Sequence, residues 1–364
     1  METVLEDLSL NAFFKAFSVE DEKNIAVPVE DPYGIDGDPK LRFLENALSP
    51  RKIQGRLQSC LKNSNLGGAW VKLNGIRVTR HKPGRRCLIE YDVVIEPPGR
   101  APKLQTWIGK ARARDLDEAA YKLQTALCKK GFDPDSADAI STPMPVGVLP
   151  EFNMWLYRKA PGVSCSQRIL QPGWEEIVKR IAEGIHKIHR CGVKPQRSHT
   201  MDDELRILNE RLPLLIPENP QWERRIARIL DACARLGAQV PATVPTGIHR
   251  DFYPDQVLVD NARIYIIDLD LFSLGDPGLD VGNFIGHLVE QGLRELGDAE
   301  ALADRQNIFE DHFLRLAGAR HRCSVQTYGI LTLVRHIYIS SLFAERKAFT
   351  EPILELCEKR LGLA

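Results

Sequence analysis

The sequence lacks closely spaced cysteine pairs, although its 364 residues include eight cysteines. No C-x-x-C motif occurs, and ligand sets for structural zinc are normally built from such pairs. The scattered cysteines therefore argue against a structural zinc site. They predict reduced thiols in a cytoplasmic protein.

Long apolar runs are also missing. No stretch approaches the roughly 18 apolar residues that a membrane-spanning helix needs. The N-terminal segment METVLEDLSLNAFFKAF carries acidic residues and has neither the basic nor the apolar region of a secretory signal. We therefore expect no membrane partner and a cytoplasmic location.

The chain has no net charge, because Lys plus Arg and Asp plus Glu each number 49. Without a basic excess, no global field attracts nucleic acid or an anionic membrane, and we expect neither as a partner. The hydrophobic content of 43% and the charged content of 27% are ordinary for a globular protein. The length allows two or three domain-sized units.

A polar loop and two short apolar runs follow one another within residues 247–282. The runs 257–259 and 264–267 are rich in β-branched residues and flank the turn signal Asp260-Asn261. This pattern predicts two short strands joined by a tight turn.

The predicted hairpin would bring the loop that precedes it next to the residues that follow it. Asp251 and Gln256 lie in that loop, and Asp268 directly follows the second apolar run. Three oxygen-bearing side chains in one small volume suit Mg²⁺, which prefers such ligands and completes its shell with water and phosphate. The sequence therefore predicts that the three side chains converge on a magnesium site.

The order of these residues resembles the active site of the protein-kinase-like fold. His-Arg-Asp at 249–251 is followed five residues after the aspartate by Gln256, and Asp268 follows the hairpin. The Gly-Asp-Pro at 275–277, with Asp280 beyond it, is similar more narrowly to the aminoglycoside phosphotransferase family of small-molecule kinases.

The resemblance implies a role for each residue. Asp251 corresponds to the family's catalytic base, and Asp268 corresponds to the aspartate that binds metal. The second metal ligand of the family is usually Asn, whereas this sequence has Gln256, which carries the same amide oxygen on a longer stem. His249 is expected to support the loop structurally. Asp280 is expected either to brace the loop or to cap the helix that follows.

The resemblance also implies an α+β fold with two lobes, the protein-kinase-like fold. The small lobe would hold an antiparallel sheet and one helix, and the large lobe would be mostly helical. We predict a partly helical N-terminal extension over residues 1–66, a small nucleotide-binding lobe over 67–158, and a large catalytic and substrate-binding lobe over 159–364. For the extension, packing on the small lobe is favoured over a partner-binding arm.

Residues 71–95 alternate like two strands around a basic turn that contains Gly84 and Arg85. In the kinase-like fold this hairpin covers the ATP phosphates, but the G-x-G-x-x-G of protein kinases is missing here. Phosphate contact would then depend on backbone N–H groups near Gly84 and on Arg85 or Arg86. A solvated turn without a ligand remains the alternative.

Lys110 lies in a predicted strand over residues 105–111 and, by the resemblance, would hold the α- and β-phosphates of ATP. Glu118, at the start of the next helix, is its expected partner, with Asp117 as the fallback. Acids in a first helical turn are also favoured by the helix dipole alone.

The strand 154–158 is expected to form the hinge between the lobes. Backbone groups around Tyr157 and Lys159 would meet the adenine ring there. Apolar periodicity predicts further helices in the C-terminal half of the chain, over residues 174–190, 202–215, 222–236, 279–296, 308–317, 328–343 and 352–361.

These observations predict an ATP- and Mg²⁺-dependent phosphotransferase that acts on a hydroxyl of a small molecule. A sugar or related neutral metabolite is favoured, because residues 202–236 mix acids and bases in similar numbers. The alternative is a catalytically silent kinase-fold protein that binds nucleotide and acts as a regulatory or scaffolding module. Gln256 and the missing glycine-rich loop keep that alternative open.

Overall fold

A computed structural model of the protein describes residues 27–62 and 68–363. The remaining parts of the predicted N-terminal extension, residues 1–26 and 63–66, lie outside the described residues. The chain forms two compact units. The first contains the described residues up to Asp117 together with Val146–Arg158, and the second contains Glu118–Pro145 and the chain from Lys159 onward.

The first unit is built on one six-stranded sheet in the order β1-β2-β3-β4-β7-β6. The central pairs β2/β3, β3/β4 and β4/β7 are antiparallel, and β1 runs parallel to β2. The strands are β1 (Val29–Glu30), β2 (Trp70–Lys82), β3 (Arg86–Glu96), β4 (Lys103–Arg112), β6 (Pro145–Leu149) and β7 (Met154–Arg158).

The alternation of apolar residues explains the buried face of this sheet. Tyr91 on β3 and Trp107 on β4 are fully buried and pack in the core of the unit. A Cβ at Gly109 of β4 would press against the sulfur of Met154 on β7 and the ring of Tyr91, so a side chain at this position would force both to shift. Lys110 follows Gly109 on β4 and is itself buried.

Residues 27–62 are an integral part of the first unit. The helix α1 (Pro50–Lys62) packs Ile53 and Leu57 into the same core as the sheet. The side chains of Gln54 and Gln58 accept hydrogen bonds from backbone N–H groups at the start of β2, at 2.8 and 2.7 Å. These side chains continue the hydrogen bonding of the strand and hold α1 along it.

The second unit is mostly helical. Its helices are α2 (Glu118–Leu127), α3 (Cys165–Arg168), α4 (Trp174–Arg190), α5 (Met201–Arg211), α6 (Glu223–Gln239), α7 (Pro277–Leu296), α8 (Ala303–Ala317), α9 (Arg322–Ser341) and α10 (Thr350–Arg360). Two small sheets, in the orders β5-β11-β10-β8 and β12-β9, complete the unit. Their strands are β5 (Ile140–Ser141), β8 (Val163–Ser164), β9 (Thr246–Ile248), β10 (Val257–Asp260), β11 (Arg263–Ile266) and β12 (Ser273–Gly275).

The segment 118–145 groups with the second unit, whereas the sequence placed it in a lobe over 67–158. The physical reason is burial, because Leu127, Phe132 and Ile140 lie in the core of the second unit. The helix packed within the first unit is α1 instead. The predicted assignment of nucleotide-binding and catalytic lobes stays a prediction.

Helix α7 begins at Pro277, earlier than the predicted start near residue 279. The residue that caps it is Asp276, whose side chain accepts a hydrogen bond from the N–H of Gly278 at 2.8 Å. Asp280 is therefore not the cap, and its carboxylate is available for the loop. Within the described residues, none of the helices is long and apolar enough to cross a lipid bilayer.

Candidate active site

One buried carboxylate, that of Asp280, holds the loop between β9 and β10 in place. Asp280 is fully buried and accepts hydrogen bonds from the backbone N–H groups of His249 at 2.8 Å and Arg250 at 2.6 Å. Nε2 of His189 lies within hydrogen-bond distance of the same carboxylate, at 2.9 Å. Arg250 has a left-handed φ of 73°, a conformation that a non-glycine residue keeps only when its surroundings enforce it. Asp280 therefore sets the path of the chain into Asp251.

The predicted hairpin is present and brings the loop next to Asp268. Strands β10 and β11 pair antiparallel, with Val257 opposite Ile266. Beyond this pair, the N–H of Ile267 donates to the carbonyl of Gln256 at 2.9 Å. His249 reaches the carbonyl of Ile267 through Nε2 at 2.8 Å, which confirms its structural role under the loop.

Asp251 is partly exposed, and its carboxylate has no hydrogen-bond or ion-pair partner anywhere in the described part of the chain. Gln256 is buried, and its side-chain amide also lacks a partner within residues 27–62 and 68–363. Asp268 is exposed and has left-handed backbone angles, φ 56° and ψ 53°. The predicted proton acceptor and the two predicted metal ligands thus lie on one hydrogen-bonded framework of loop and hairpin.

A metal ion would depend on few protein ligands here. Among the described residues, no three His, Cys, Asp or Glu side chains gather in a way that could hold one. The predicted ligands are a single carboxylate, Asp268, and a single amide, Gln256. Mg²⁺ is commonly bound in this way, through one or two carboxylates with phosphate and water supplying the rest. The donor set therefore fits a cation that arrives with a phosphate ligand.

Asp255, the other acid of the loop, has an anchoring contact. Its Oδ1 accepts hydrogen bonds from the hydroxyls of Ser164 at 2.6 Å and of Ser166. These serines lie at β8 and α3, on the far side of β10. The contact ties the end of the loop between β9 and β10 to the neighbouring strand β8.

A polar network behind the loop was not predicted from the sequence. Asn283 of α7 donates through Nδ2 to the carbonyl of Phe252 at 2.9 Å and accepts from Arg335 of α9. Arg335 also binds Glu204 of α5 at 3.0 Å, and His199 binds the other oxygen of Glu204 at 2.6 Å. Burial raises the pKa of Glu204, but the hydrogen bond from His199 and the charge of Arg335 outweigh it and leave that pKa below its usual value. The only local signal was an Asn one turn after Asp280.

The predicted nucleotide contacts of the first unit are placed as follows. Lys110 is buried on β4, opposite Leu88 of β3 and Trp155 of β7. Tyr157 is partly exposed on β7 and pairs with Ile108 of β4. Lys159 belongs to the second unit and is exposed. Their roles toward a nucleotide stay predictions.

Glu118 is exposed at the start of α2, and its carboxylate binds Lys122 one helical turn later at 2.6 Å. The hydrogen bond from Lys122 lowers the pKa of Glu118. The fallback, Asp117, binds Arg112 of β4 at 2.6 Å. The pairing of Glu118 with Lys110 stays a prediction.

The sequence predicts that backbone N–H groups near Gly84 contact phosphate, but the N–H of Gly84 already has an acceptor within the first unit. The Asp38 carboxylate accepts this N–H at 2.6 Å and lies 2.9 Å from Nε2 of His81. The Gly84 hydrogen bond is the main reason that the pKa of Asp38 is lowered. Arg85 is exposed at the same turn. Of these two residues, Arg85 is the one that keeps donors for a phosphate, because the Gly84 N–H is used within the unit.

We expect Asp38→Ala to destabilise the first unit, because it leaves the Gly84 N–H and His81 without their acceptor. Losing the acceptor of buried donors typically costs about 1–3 kcal/mol. Urea unfolding followed by tryptophan fluorescence would measure this loss. The matched change Asp36→Ala, at an exposed position two residues earlier, should stay within about 0.5 kcal/mol of the wild type. Equal losses for the two variants would contradict the assigned role of Asp38.

The pH dependence of stability is expected to report on His336 of α9. Burial, with the charges of Arg335, Arg346 and Arg294, lowers the pKa of this imidazole from 6.5 to about 3. Between pH 6.5 and about pH 3, His336 binds a proton in the unfolded chain but not in the folded chain. The free energy of unfolding therefore falls as the pH falls below 6.5. From pH 7 to pH 5 this group should cost about 2 kcal/mol.

His336→Leu should remove that part of the pH dependence. Urea unfolding of the variant and the wild type at pH 7 and pH 5 would measure the difference. An unchanged pH dependence in the variant would show that His336 is not kept neutral by the fold.

Similarities to known proteins bear on the fold and on the family of the chain. No curated protein sequence matches the chain. Its structure is similar to a choline/ethanolamine kinase family protein from Mesorhizobium loti, with 15% identity, a TM-score of 0.53, and 86% of this chain and 95% of that chain covered. It is also similar to the aminoglycoside phosphotransferase APH(4)-Ia in complex with AMP-PNP and hygromycin B, with 17% identity, a TM-score of 0.51, and coverage of 85% and 98%.

A third similar structure is the amicoumacin kinase hAmiN in complex with AMP-PNP, Ca²⁺ and Ami. The identity is 14% and the TM-score 0.53, with 78% of this chain and 88% of that chain covered. These likenesses establish the α+β protein-kinase-like fold. The sequence profile of the phosphotransferase enzyme family matches residues 135–317, which span both the β9–β10 loop and the hairpin. The chain belongs to the phosphotransferase enzyme family.

Proposed function

We propose that this protein transfers the γ-phosphoryl group of ATP to a hydroxyl group of a small molecule, in a reaction that depends on Mg²⁺. The observation that carries the proposal is Asp251, a carboxylate without a partner in the described residues, on a loop braced by Asp280 and His249. AMP-PNP in two of the similar structures, with Ca²⁺ in one, supports the choice of ATP and a divalent cation.

Asp251 would act as the base of the reaction. It accepts the proton of the acceptor hydroxyl while the hydroxyl oxygen bonds to the γ-phosphorus. The bond from that phosphorus to the β–γ bridging oxygen breaks, and ADP leaves. The transition state is loose, so catalysis depends mainly on position and charge. The bonded framework of the loop supplies the position.

Asp268 and Gln256 would hold Mg²⁺, which neutralises charge on the phosphates when it is bound. The donor set supports this role, because Asp268 is an exposed carboxylate and Gln256 a buried amide that lacks another partner in the described part of the chain. Gln replaces the usual Asn of the family at this position. It offers the same oxygen, and its longer stem would be accommodated by the loop.

Lys110 would hold the α- and β-phosphates, with Glu118 as its partner. Arg85 would assist at the β2/β3 turn, while backbone groups at Tyr157 and Lys159 would meet the adenine ring. The buried position of Lys110 on a central strand supports a fixed role, since a buried lysine needs a compensating anion. A bound triphosphate would add such charge.

We favour a neutral acceptor such as a sugar. Several charged side chains on α5 and α6 are paired, with Arg206 bound to Asp203 at 2.9 Å and to Glu210 at 3.2 Å. Arg225 of α6 binds Glu358 at 2.6 Å. A polycationic acceptor would need unpaired carboxylates, and four of those on these helices, Asp203, Glu204, Glu210 and Asp231, are already paired with arginines.

The test is a thermal-shift titration with ATP and Mg²⁺, followed by a transfer assay over sugars, amino alcohols and aminoglycosides. We expect stabilisation by ATP with Mg²⁺ and transfer to a hydroxyl-bearing acceptor that stops when EDTA removes the metal. Binding without transfer to any member of the panel would favour the silent, regulatory or scaffolding module. Transfer that persists in EDTA would contradict the proposed metal dependence.

A further inference from the structure

Three rings in contact lead away from the loop between β9 and β10. Tyr253, two residues after Asp251, stacks on His287 of α7 with a centroid distance of 4.5 Å and 17° between the planes. The ring of His287 meets His336 of α9 edge to face at 4.4 Å. We call Tyr253, His287 and His336 the aromatic row.

Close packing of two helices places this row. A Cβ at Gly282 of α7 would lie 2.6 Å from the backbone N of Gly329 on α9, so only glycine allows this approach. Asn283, one turn before His287, donates to the carbonyl of Phe252 in the loop at 2.9 Å. Asn283 and His287 therefore both contact the catalytic loop from one face of α7.

The two imidazoles of the row differ in access. His336 is 1% exposed, and neither of its ring nitrogens has a hydrogen-bond partner among the described residues. His287 is partly exposed, and its imidazole makes no hydrogen bond to any described residue. A polar group buried as deeply as the His336 imidazole is nearly always hydrogen-bonded to protein, water or ligand in native proteins. His287 is the imidazole of the row that a bound molecule can reach.

Burial favours the neutral form of both imidazoles. Burial, His336, and the charges of Arg335, Arg346 and Arg294 lower the pKa of His287 well below 6.5. A neutral imidazole offers one donor and one acceptor, which matches the hydrogen bonding of a hydroxyl group. A protonated amine could use only the acceptor nitrogen.

The charged groups that act on the two imidazoles do not favour a cation. Arg335 binds Glu204 at 3.0 Å, and Arg294 binds Glu290 at 2.8 Å, so both carboxylates are already paired. Arg346 has no carboxylate partner among the described residues. An ammonium group beside His287 would meet guanidinium charge and no unpaired carboxylate among these residues.

We propose that His287 binds the acceptor beside the hydroxyl that Asp251 receives, and that it selects neutral polyhydroxyl acceptors over their amino counterparts. This assignment rests on the proposed phosphotransfer to a small-molecule hydroxyl. His287 is a specificity-determining residue in this assignment, since the proton of the reacting hydroxyl goes to Asp251.

The test measures acceptor binding separately from transfer. Thermal shifts of the full chain with hexoses, pentoses and hexitols would be compared with those of the corresponding 2-amino-2-deoxy sugars, in the presence of ADP and Mg²⁺. We expect a neutral sugar or polyol to give the larger shift. His287→Leu should weaken that binding at least tenfold, and His287→Gln should restore part of it through its donor and acceptor.

His186→Leu, the same change on α4 away from the row, is the matched control and should bind like the wild type. The assignment is overturned if no neutral acceptor binds, if the amino sugars bind more tightly, or if His287→Leu binds like the wild type. Transfer of phosphate is assayed independently. Binding that follows the expected pattern without any transfer would reject the proposed function and leave His287 as a ligand-binding residue.

Discussion

Asp251→Asn is expected to lower kcat for phosphoryl transfer by about 10²–10⁴-fold, the usual contribution of a positioned general base. The amide keeps the shape of the side chain but cannot accept the proton of the acceptor hydroxyl. The carboxylate has no partner in the described part of the chain, so the substitution should leave the folded state almost unchanged. Steady-state kinetics with the best acceptor from the panel, together with urea unfolding, would separate the two effects.

The control for this variant is Asp260→Asn at the tight turn at the other end of β10. Asp260 has no predicted role in the reaction, so the same chemical change there should leave kcat within about twofold of the wild type. Surface substitutions of this kind usually change the free energy of unfolding by less than about 0.5 kcal/mol. If Asp251→Asn retained more than a tenth of the wild-type kcat, Asp251 would not be the base.

Asp280→Ala is expected to have the largest effect on stability, about 3–5 kcal/mol, as when one partner is removed from a buried charged contact. The substitution leaves the N–H groups of His249 and Arg250, and Nε2 of His189, without their acceptor in a fully buried site. The left-handed conformation of Arg250 would lose its support, so activity should fall with stability. Denaturant unfolding and far-UV circular dichroism would measure the loss.

Asp276→Ala, four residues earlier, is the matched control. Asp276 caps α7 through the N–H of Gly278, and the loss of a helix cap costs about 1 kcal/mol. A loss for Asp280→Ala no greater than the loss for Asp276→Ala would show that the loop does not depend on the buried carboxylate.

Local patterns predicted many elements of this fold. The strand Met154–Arg158 and the helix Trp174–Arg190 have the predicted bounds, and the hairpin after the loop formed around Asp260-Asn261. Apolar periodicity and turn chemistry act over a few residues, so they can be read without knowledge of the fold. The start of α7 was misplaced because Asp276 and Asp280 are both plausible caps in the sequence.

Contacts between residues far apart in the chain could not be predicted from local sequence patterns. Asp38 takes the N–H of Gly84 across 46 positions, and Arg335 of α9 reaches Asn283 of α7 across 52. Each of these side chains could satisfy its charge or hydrogen bonds with many partners, and only packing selects one. Glu118 illustrates the same limit, since its carboxylate binds Lys122 one helical turn away.

By itself, the sequence determined the order of loop, hairpin and aspartates that identifies the family, because these features depend on neighbouring residues. Only the tertiary structure decided what supports the loop: the buried Asp280 carboxylate beneath it and the aromatic row beside it. Those arrangements depend on how closely α7 packs against α9. Burial, which acts between residues far apart in the chain, selects that packing.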